Sequence, residues 1–132
     1  KKDVSDYLIT ADTIVVIGTR IMGKPKNRNN ANEFLQLLSG RRHYVYSSIV
    51  VSHRERKLLK TVRTAVQFKH LSGLEVEYYL SCNEWEGKAG AYAIQGIASR
   101  FIKKINGSYS NVVGLPVMET LNLLSGLGYK VI

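Results

Sequence analysis

The chain has 132 residues, 45% hydrophobic and 22% charged, a composition that excludes a disordered chain and predicts one globular domain over residues 1–132. No run approaches the roughly 18 apolar residues of a membrane-spanning helix, and the lone Cys82 excludes an internal disulfide and favours a reducing cytoplasm. The net charge of +9 lies within residues 1–70, which indicates either an anionic partner or a solvated basic face.

The chain opens with a predicted strand that contains a charge. Residues 8–17, LITADTIVVI, are apolar and β-branched on both sides of Asp12. Burying a carboxylate is costly unless it is paired, so this position predicts a partner for Asp12. The following residues, GTRIMGKP, predict a turn and a short extended piece, in which Pro25 holds Lys24 in extended geometry.

A helix and a second strand follow in the basic half of the chain. Residues 27–40, NRNNANEFLQLLSG, predict a helix with an Asn cap and a stop at Gly40. Residues 43–51, HYVYSSIVV, alternate in the manner of a strand. The inward residues are expected to be Ala31, Phe34, Leu35 and Leu38 of the helix, and Val45, Ser47, Ile49 and Val51 of the strand.

The segment after this strand fits two periodicities. Residues 55–68, ERKLLKTVRTAVQF, match a helix through one set of apolar positions and a strand through another. The β-branched content favours a strand over residues 61–68. The pair Ser72 and Glu75 then forms a capping box, which predicts a helix with Val76, Tyr79 and Leu80 turned inward.

Shorter elements are predicted towards the end of the chain. KAGAYAIQG, residues 88–96, predicts a short helix entered from a loop. RFIKKI predicts a strand that ends at the Asn106-Gly107 turn, and a helix is predicted from Pro116 to near Gly126. Because strands and helices alternate along the sequence, the chain is assigned to the α/β class.

Asp12 and Lys24 form the first candidate pair for chemistry. A strand followed by a turn can bring both side chains to one cleft. In a phosphate site the acid would hold a metal or orient water, and the lysine would neutralise phosphate oxygens. The alternative is structural, with Asp12 ending the strand, capping a turn or pairing with a neighbouring arginine.

The glycine-rich segment GKAGAYAIQG, residues 87–96, is the second candidate. Glycines at a helix start let backbone N–H groups approach an anion closely, and the amide of Gln95 suits the reading of a base edge. The spacing of Gly87, Gly90 and Gly96 matches neither the P-loop nor the dinucleotide fingerprint. Glycines needed only for close packing, with a solvated Gln95, explain the segment equally well.

Two further features have simpler explanations. The segment GSYSNVVGLP, residues 107–116, predicts a turn, a buried pair Val112-Val113 and the entry to a helix. The basic residues between Arg41 and Arg63 predict a solvated face, since no helix-turn-helix, RRM or KH signature accompanies them.

Five blocks occur together and in order: TADTIVV, GKP, LSGRRHYVYSSIVV, GKAGAYAIQG and GSYSNVVGLP. Together they resemble the signature blocks of the Maf proteins, which are similar in fold to the inosine triphosphate pyrophosphatases. The resemblance runs from about Leu8 to Val117. It implies an α/β fold with a mixed twisted sheet and flanking helices.

The resemblance also implies an activity and roles for five residues. It implies a nucleoside triphosphate pyrophosphatase that hydrolyses between the α- and β-phosphates with Mg²⁺ or Mn²⁺. Asp12 corresponds to the proton acceptor next to the metal and Lys24 to a phosphate contact, while Lys88 is a further candidate for substrate binding. Thr13 and Gln95 bear on base specificity, and the glutamine is similar to that of the branch acting on dTTP and UTP. A homodimer is also implied, although no interface is visible in the sequence.

The sequence departs from the family pattern in three places. Gly87 stands where many members have an acid, and Ala93 stands where glycine is commoner. Members also begin with a Ser-x-x-Arg phosphate-binding block and a metal-associated glutamate, which are absent before the strand at residue 8. An N-terminally truncated fragment with an open sheet edge is therefore expected. The alternative function is a non-catalytic remnant that binds nucleotides or nucleic acid through its basic surface.

Overall fold

The centre of the molecule is a five-stranded sheet in the order β2-β1-β3-β4-β5. It is seen in a computed structural model that describes residues 6–131. Every strand pair within those residues is antiparallel. The strands are β1 (Tyr7–Ile17), β2 (Arg20–Met22), β3 (Arg42–His53), β4 (Arg56–Phe68) and β5 (Ile102–Asn106).

The flanking helices begin and end near the predicted residues. Asn27 caps the first helix by accepting a hydrogen bond from the backbone of Asn30, and the capping box of Ser72 and Glu75 opens the second. None of the helices in residues 6–131 is long and apolar enough to cross a membrane. The helices are α1 (Arg28–Leu38), α2 (Gly73–Ser81), α3 (Tyr109–Val113) and α4 (Val117–Gly126), with 3-10 helices at Ala89–Ala91 and Ile97–Phe101.

The α/β class with flanking helices is confirmed, but the sheet within the described residues is antiparallel rather than mixed. Tight turns join β1 to β2 and β3 to β4, and such turns connect only antiparallel neighbours. β4 also starts at Arg56, five residues before the predicted strand, because its pairing with β3 continues to the contact of His53 with Arg56. Cross-strand pairing therefore settles a segment whose local periodicity was ambiguous.

Two local predictions in the second half are wrong. The helix expected in KAGAYAIQG ends after one 3-10 turn, since Gly90 and Ala91 both have positive φ, at 71° and 69°. The buried Val112-Val113 pair is absent, because Val113 is 45% exposed and Asn111 is fully buried instead. A polar residue there satisfies backbone groups of the sheet that a valine would leave unpaired.

One face of the sheet carries the core and the other is open. On β3 the alternate residues from His43 to Val51 are buried beneath the helices, as predicted for Val45, Ser47, Ile49 and Val51. The opposite side, called here the open face, carries Tyr44 and Tyr46 of β3 and Arg63 of β4, and no helix within residues 6–131 packs on it. The functional residues must be assigned to one face or the other.

Candidate active site

A cleft of about 320 Å³ lies at the β1 end of the core face. Its walls come from β1, from the loop after β2, from residues 87–95 and from the end of α3. Its lining includes all five residues that the sequence singles out, namely Asp12, Thr13, Lys24, Lys88 and Gln95. Residues far apart in the chain are therefore brought to one place by the fold.

Thr13 is fixed within the wall of the cleft. Its hydroxyl lies 2.8 Å from the hydroxyl of Ser47 on the adjacent strand and donates to the carbonyl of Gly114 at 3.4 Å. Ser47 is fully buried. These contacts tie β1, β3 and the end of α3 together, so the position of Thr13 is set by three elements.

Asp12 is exposed, which corrects the expectation that its strand would bury it. Its neighbour in the sheet is Ser48, on the open face, while the backbone of Asp12 borders the cleft. β2 pairs with β1 only from Val15 to Ile17, so the outer edge of β1 near Asp12 has no strand beside it in the described part of the chain. Within residues 6–131 no cation pairs with Asp12 and no group donates a hydrogen bond to its carboxylate.

Gly90 brings the two lysines to the same rim. Its N–H donates to the carbonyl of Gly23 at 3.1 Å, which ties the loop carrying Lys88 to the residue before Lys24. A Cβ on Gly90 would lie 2.9 Å from Cγ2 of Val15, too close for an ordinary contact, and φ is +71°. Only glycine lets this loop approach β1 so closely. Both lysine side chains are exposed.

Tyr92, which lines the cleft, forms a buried neutral pair with His43. The hydroxyl of Tyr92 lies 2.6 Å from Nε2 of His43, and both residues are buried. Burial lowers the pKa of His43 to about 4 and raises the pKa of Tyr92. Both groups are thus uncharged at neutral pH, and the charge of the cleft comes from the two lysines on its rim.

Two polar residues that support the site were missed from the sequence. The amide of Asn111 donates to the carbonyls of Val45 and Val62 and to the hydroxyl of Thr64, at 2.9–3.2 Å. The carboxylate of Glu84 accepts hydrogen bonds from the loop that follows Gln95. A polar residue within an apolar run was the available signal for Asn111, whereas Glu84 had none because its partners lie up to 14 residues away.

The cleft has little capacity to bind a metal by protein groups alone. No group of three or more His, Cys, Asp or Glu side chains is placed to hold an ion in the described part of the chain. Asp12 is the one acidic residue among the described residues lining the cleft, and its side chain lies beside Ser48 on the open face. Mg²⁺ commonly uses one or two carboxylates together with substrate phosphates, so Asp12 fits an ion that is held mainly by a phosphorylated ligand and reached across the outer edge of β1.

Comparison with known proteins identifies the family of this chain. The family described as Maf-like protein matches residues 1–127. A dTTP/UTP pyrophosphatase from Rhizobium etli is 52% identical over 126 residues, covering 95% of this chain and 61% of the relative. Proteins of the same name from Rhizobium meliloti and Agrobacterium fabrum are 52% and 48% identical, with the same coverage. The chain thus spans about three fifths of the length of the curated relatives it matches.

Proposed function

The chain belongs to the Maf family, and from that premise we propose that it acts as a nucleoside triphosphate pyrophosphatase on dTTP or UTP. The observation that carries the proposal is the cleft, where two lysines meet Thr13 and Gln95 and the backbone of Asp12 forms part of the wall. A positive rim suits a polyanionic substrate, and the buried pair of Tyr92 and His43 adds no opposing charge. The names of the relatives supply the substrate class.

The proposed reaction is attack of water on the α-phosphorus. The new bond joins the water oxygen to that phosphorus while the bond to the bridging oxygen breaks, so that a monophosphate and pyrophosphate are released. Asp12 accepts the proton of the water, which reaches its solvated carboxylate at the outer edge of β1. Lys24 and Lys88 neutralise the phosphate oxygens, and Thr13 and Gln95 act on base selection.

Mg²⁺ or Mn²⁺ is part of this proposal. Asp12 would hold the ion together with the substrate phosphates across the outer edge of β1, where no strand lies beside it in the described residues. When bound, the ion supplies positive charge to the phosphates and acidifies water. A reducing compartment such as the cytoplasm suits the free cysteine Cys82.

Substitution of the proposed base tests the function. Release of pyrophosphate from dTTP and UTP is measured with Mn²⁺ for the wild type, Asp12→Asn and the control Asp6→Asn. Asp6 is exposed and lies outside the cleft. We expect Asp12→Asn to lose roughly 10²–10⁴-fold in kcat, the usual contribution of a general base, and Asp6→Asn to keep wild-type turnover. Unchanged turnover in Asp12→Asn would remove Asp12 from this role.

The open face favours a second candidate, binding of single-stranded nucleic acid without catalysis. The guanidinium of Arg63 lies 4.8 Å over the ring of Tyr44, and Tyr46 is the next residue on the same side of β3. Arg42 and Lys104 line a hollow at the other end of this face. Aromatic rings among cations provide stacking and phosphate contacts for a single strand. Pairing of two copies through this face would bring like charges together.

The two candidates are separated by turnover and by salt dependence. Under the second candidate the protein binds a single-stranded oligonucleotide, binding weakens steeply between about 50 and 200 mM salt, and Arg63→Ala weakens it further. Absence of dTTP and UTP hydrolysis together with that behaviour would favour it. Hydrolysis of dTTP or UTP without oligonucleotide binding would exclude the second candidate and support the pyrophosphatase.

A further inference from the structure

The loop that carries Gln95 is held by a single carboxylate. Glu84 lies in the turn after α2, and its Oε2 accepts a hydrogen bond from the N–H of Ile97 at 2.9 Å. Its Oε1 accepts from the N–H of Ala98 at 3.3 Å. These two N–H groups open the 3-10 helix Ile97–Phe101, so Glu84 caps that helix from a distant part of the chain.

A tyrosine extends the same clamp to the other side of Gln95. The hydroxyl of Tyr79, on α2, donates to Oε1 of Glu84 at 2.8 Å and accepts from the N–H of Ala93 at 3.2 Å. Tyr79 is fully buried, and burial raises the pKa of its hydroxyl, which therefore stays protonated and able to donate. The backbone is thus fixed at residue 93 and at residues 97–98, on both sides of Gln95.

The residue after Gln95 shows how tightly the clamp closes. A Cβ built on Gly96 would overlap Oε2 of Glu84 and crowd its whole carboxylate. Glycine at this position is therefore required by the approach of Glu84, at a backbone conformation that other residues can also adopt. The loop and the carboxylate fit together as a built unit.

Gln95 itself has no such support. Its side chain is exposed at the cleft, and no side-chain hydrogen bond orients it within residues 6–131. Its placement depends on the backbone around it. We propose that Glu84 is a positioning residue for the pyrophosphatase site, which fixes the Gln95 loop and thereby sets the preference for thymine or uracil over cytosine. This inference rests on the function proposed above and adds to it the residue that controls selectivity.

The substitution Glu84→Gln tests the proposal, with Glu86→Gln as its matched control. A glutamine at position 84 has one acceptor in place of two, so the N–H of Ile97 or that of Ala98 loses its partner. Glu86 is exposed and makes no side-chain hydrogen bond in the described part of the chain. For Glu84→Gln we expect KM for dTTP to rise about tenfold with kcat within about threefold, and the preference for dTTP over dCTP to fall about tenfold.

A second readout follows the clamp directly. Amide hydrogen exchange at Ile97 and Ala98 should accelerate about tenfold in Glu84→Gln and stay at the wild-type rate in Glu86→Gln. Tyr79→Phe keeps the carboxylate and should accelerate exchange at Ala93, which covers the case in which Glu84→Gln does not fold. Faster exchange with unchanged base preference would overturn the proposal, because the clamp would then be structural only. Unchanged exchange would overturn it as well.

Binding separates this inference from the proposed function. The non-hydrolysable α,β-methylene analogues of UTP and CTP are titrated calorimetrically into the wild type and both glutamine variants. If the wild type turns over no nucleotide but prefers the UTP analogue, and Glu84→Gln loses that preference, the proposed activity fails while the positioning role stands. If Glu84→Gln keeps the wild-type preference, or the wild type binds neither analogue, the positioning role fails.

Discussion

Acid should destabilise this protein through one buried histidine. His43 is fully buried on β3 and its Nε2 shares a hydrogen bond with Tyr92, while its Nδ1 has no hydrogen-bond partner among residues 6–131. The ring also packs edge-on against Phe68 at a centroid distance of 5.2 Å. A charge on this imidazole would be surrounded by aromatic groups, so burial lowers its pKa from 6.5 to about 4.

The direction and size of the effect follow from proton linkage. Between pH 6.5 and about 4 the unfolded chain binds a proton at His43 that the folded protein does not. The free energy of unfolding is therefore fully retained above pH 6.5 and falls as the pH drops towards 4. Each pKa unit corresponds to about 1.4 kcal/mol, so the whole window amounts to about 3 kcal/mol, of which about 2 kcal/mol is lost by pH 4.5.

Urea denaturation at pH 7.0 and pH 4.5 measures this loss. The wild type and His70→Gln, in which an exposed histidine is replaced, should each lose about 2 kcal/mol between the two pH values. His43→Gln should start less stable at pH 7.0 but show little further loss, because the titrating group is gone. Equal losses in His43→Gln and His70→Gln, or no loss in the wild type, would refute the reasoning.

Two other substitutions probe the loop at the cleft and the cap of α2. Gly90→Ala should lower the free energy of unfolding by about 1–3 kcal/mol more than Gly87→Ala, as measured by urea denaturation. Both glycines have φ near +70°, but only at Gly90 would a Cβ meet Val15, so equal losses would contradict the packing argument. Lys69→Ala should raise the pKa of Glu75 from about 2 towards 4.5, because the Lys69 hydrogen bond is the main cause of the lowered value. An NMR titration of the Glu75 carboxyl checks this, and an unmoved pKa would transfer the cause to Ser72.

Much of the fold could be predicted from the sequence because local sequence signals and tertiary packing agree. The spacing of apolar residues in α1 and the alternation in β3 each place the same residues inward that the structure buries. The capping box at Ser72 and Glu75 marks the start of α2 within one residue. Where a segment has one periodicity and a defined cap, no competing arrangement buries as much apolar surface.

The failures occur where a contact distant in sequence decides the conformation. Nothing local shows that Gly90 must pass beside Val15, which turns a helix-like segment into a single turn. Likewise, Asn111 is buried only because backbone carbonyls of β3 and β4 lie within reach of its amide. These choices depend on the assembled sheet, which periodicity alone does not describe.

The site was predictable to a different degree. Spacing alone suggested Asp12 with Lys24, and it gave no reason to join them to Gln95, which lies 83 residues after Asp12. The family resemblance grouped all five residues, and the structure places them along one cleft, Asp12 through its backbone only. The hydrogen bonds that hold these residues in place could not be predicted from the sequence, because a bond such as that between Thr13 and Ser47 depends on strand register.

The exposure of Asp12 changes what its substitution can reveal. A buried, paired carboxylate would contribute to both stability and function, so a lost activity could reflect unfolding. Asp12 is solvated and forms no ion pair in the described residues, so Asp12→Asn should alter the free energy of unfolding by less than about 0.5 kcal/mol. A loss of turnover at unchanged stability would then report on chemistry alone. A destabilisation above about 1 kcal/mol would instead make Asp12 a structural residue of β1, and the choice of proton acceptor would have to be made again.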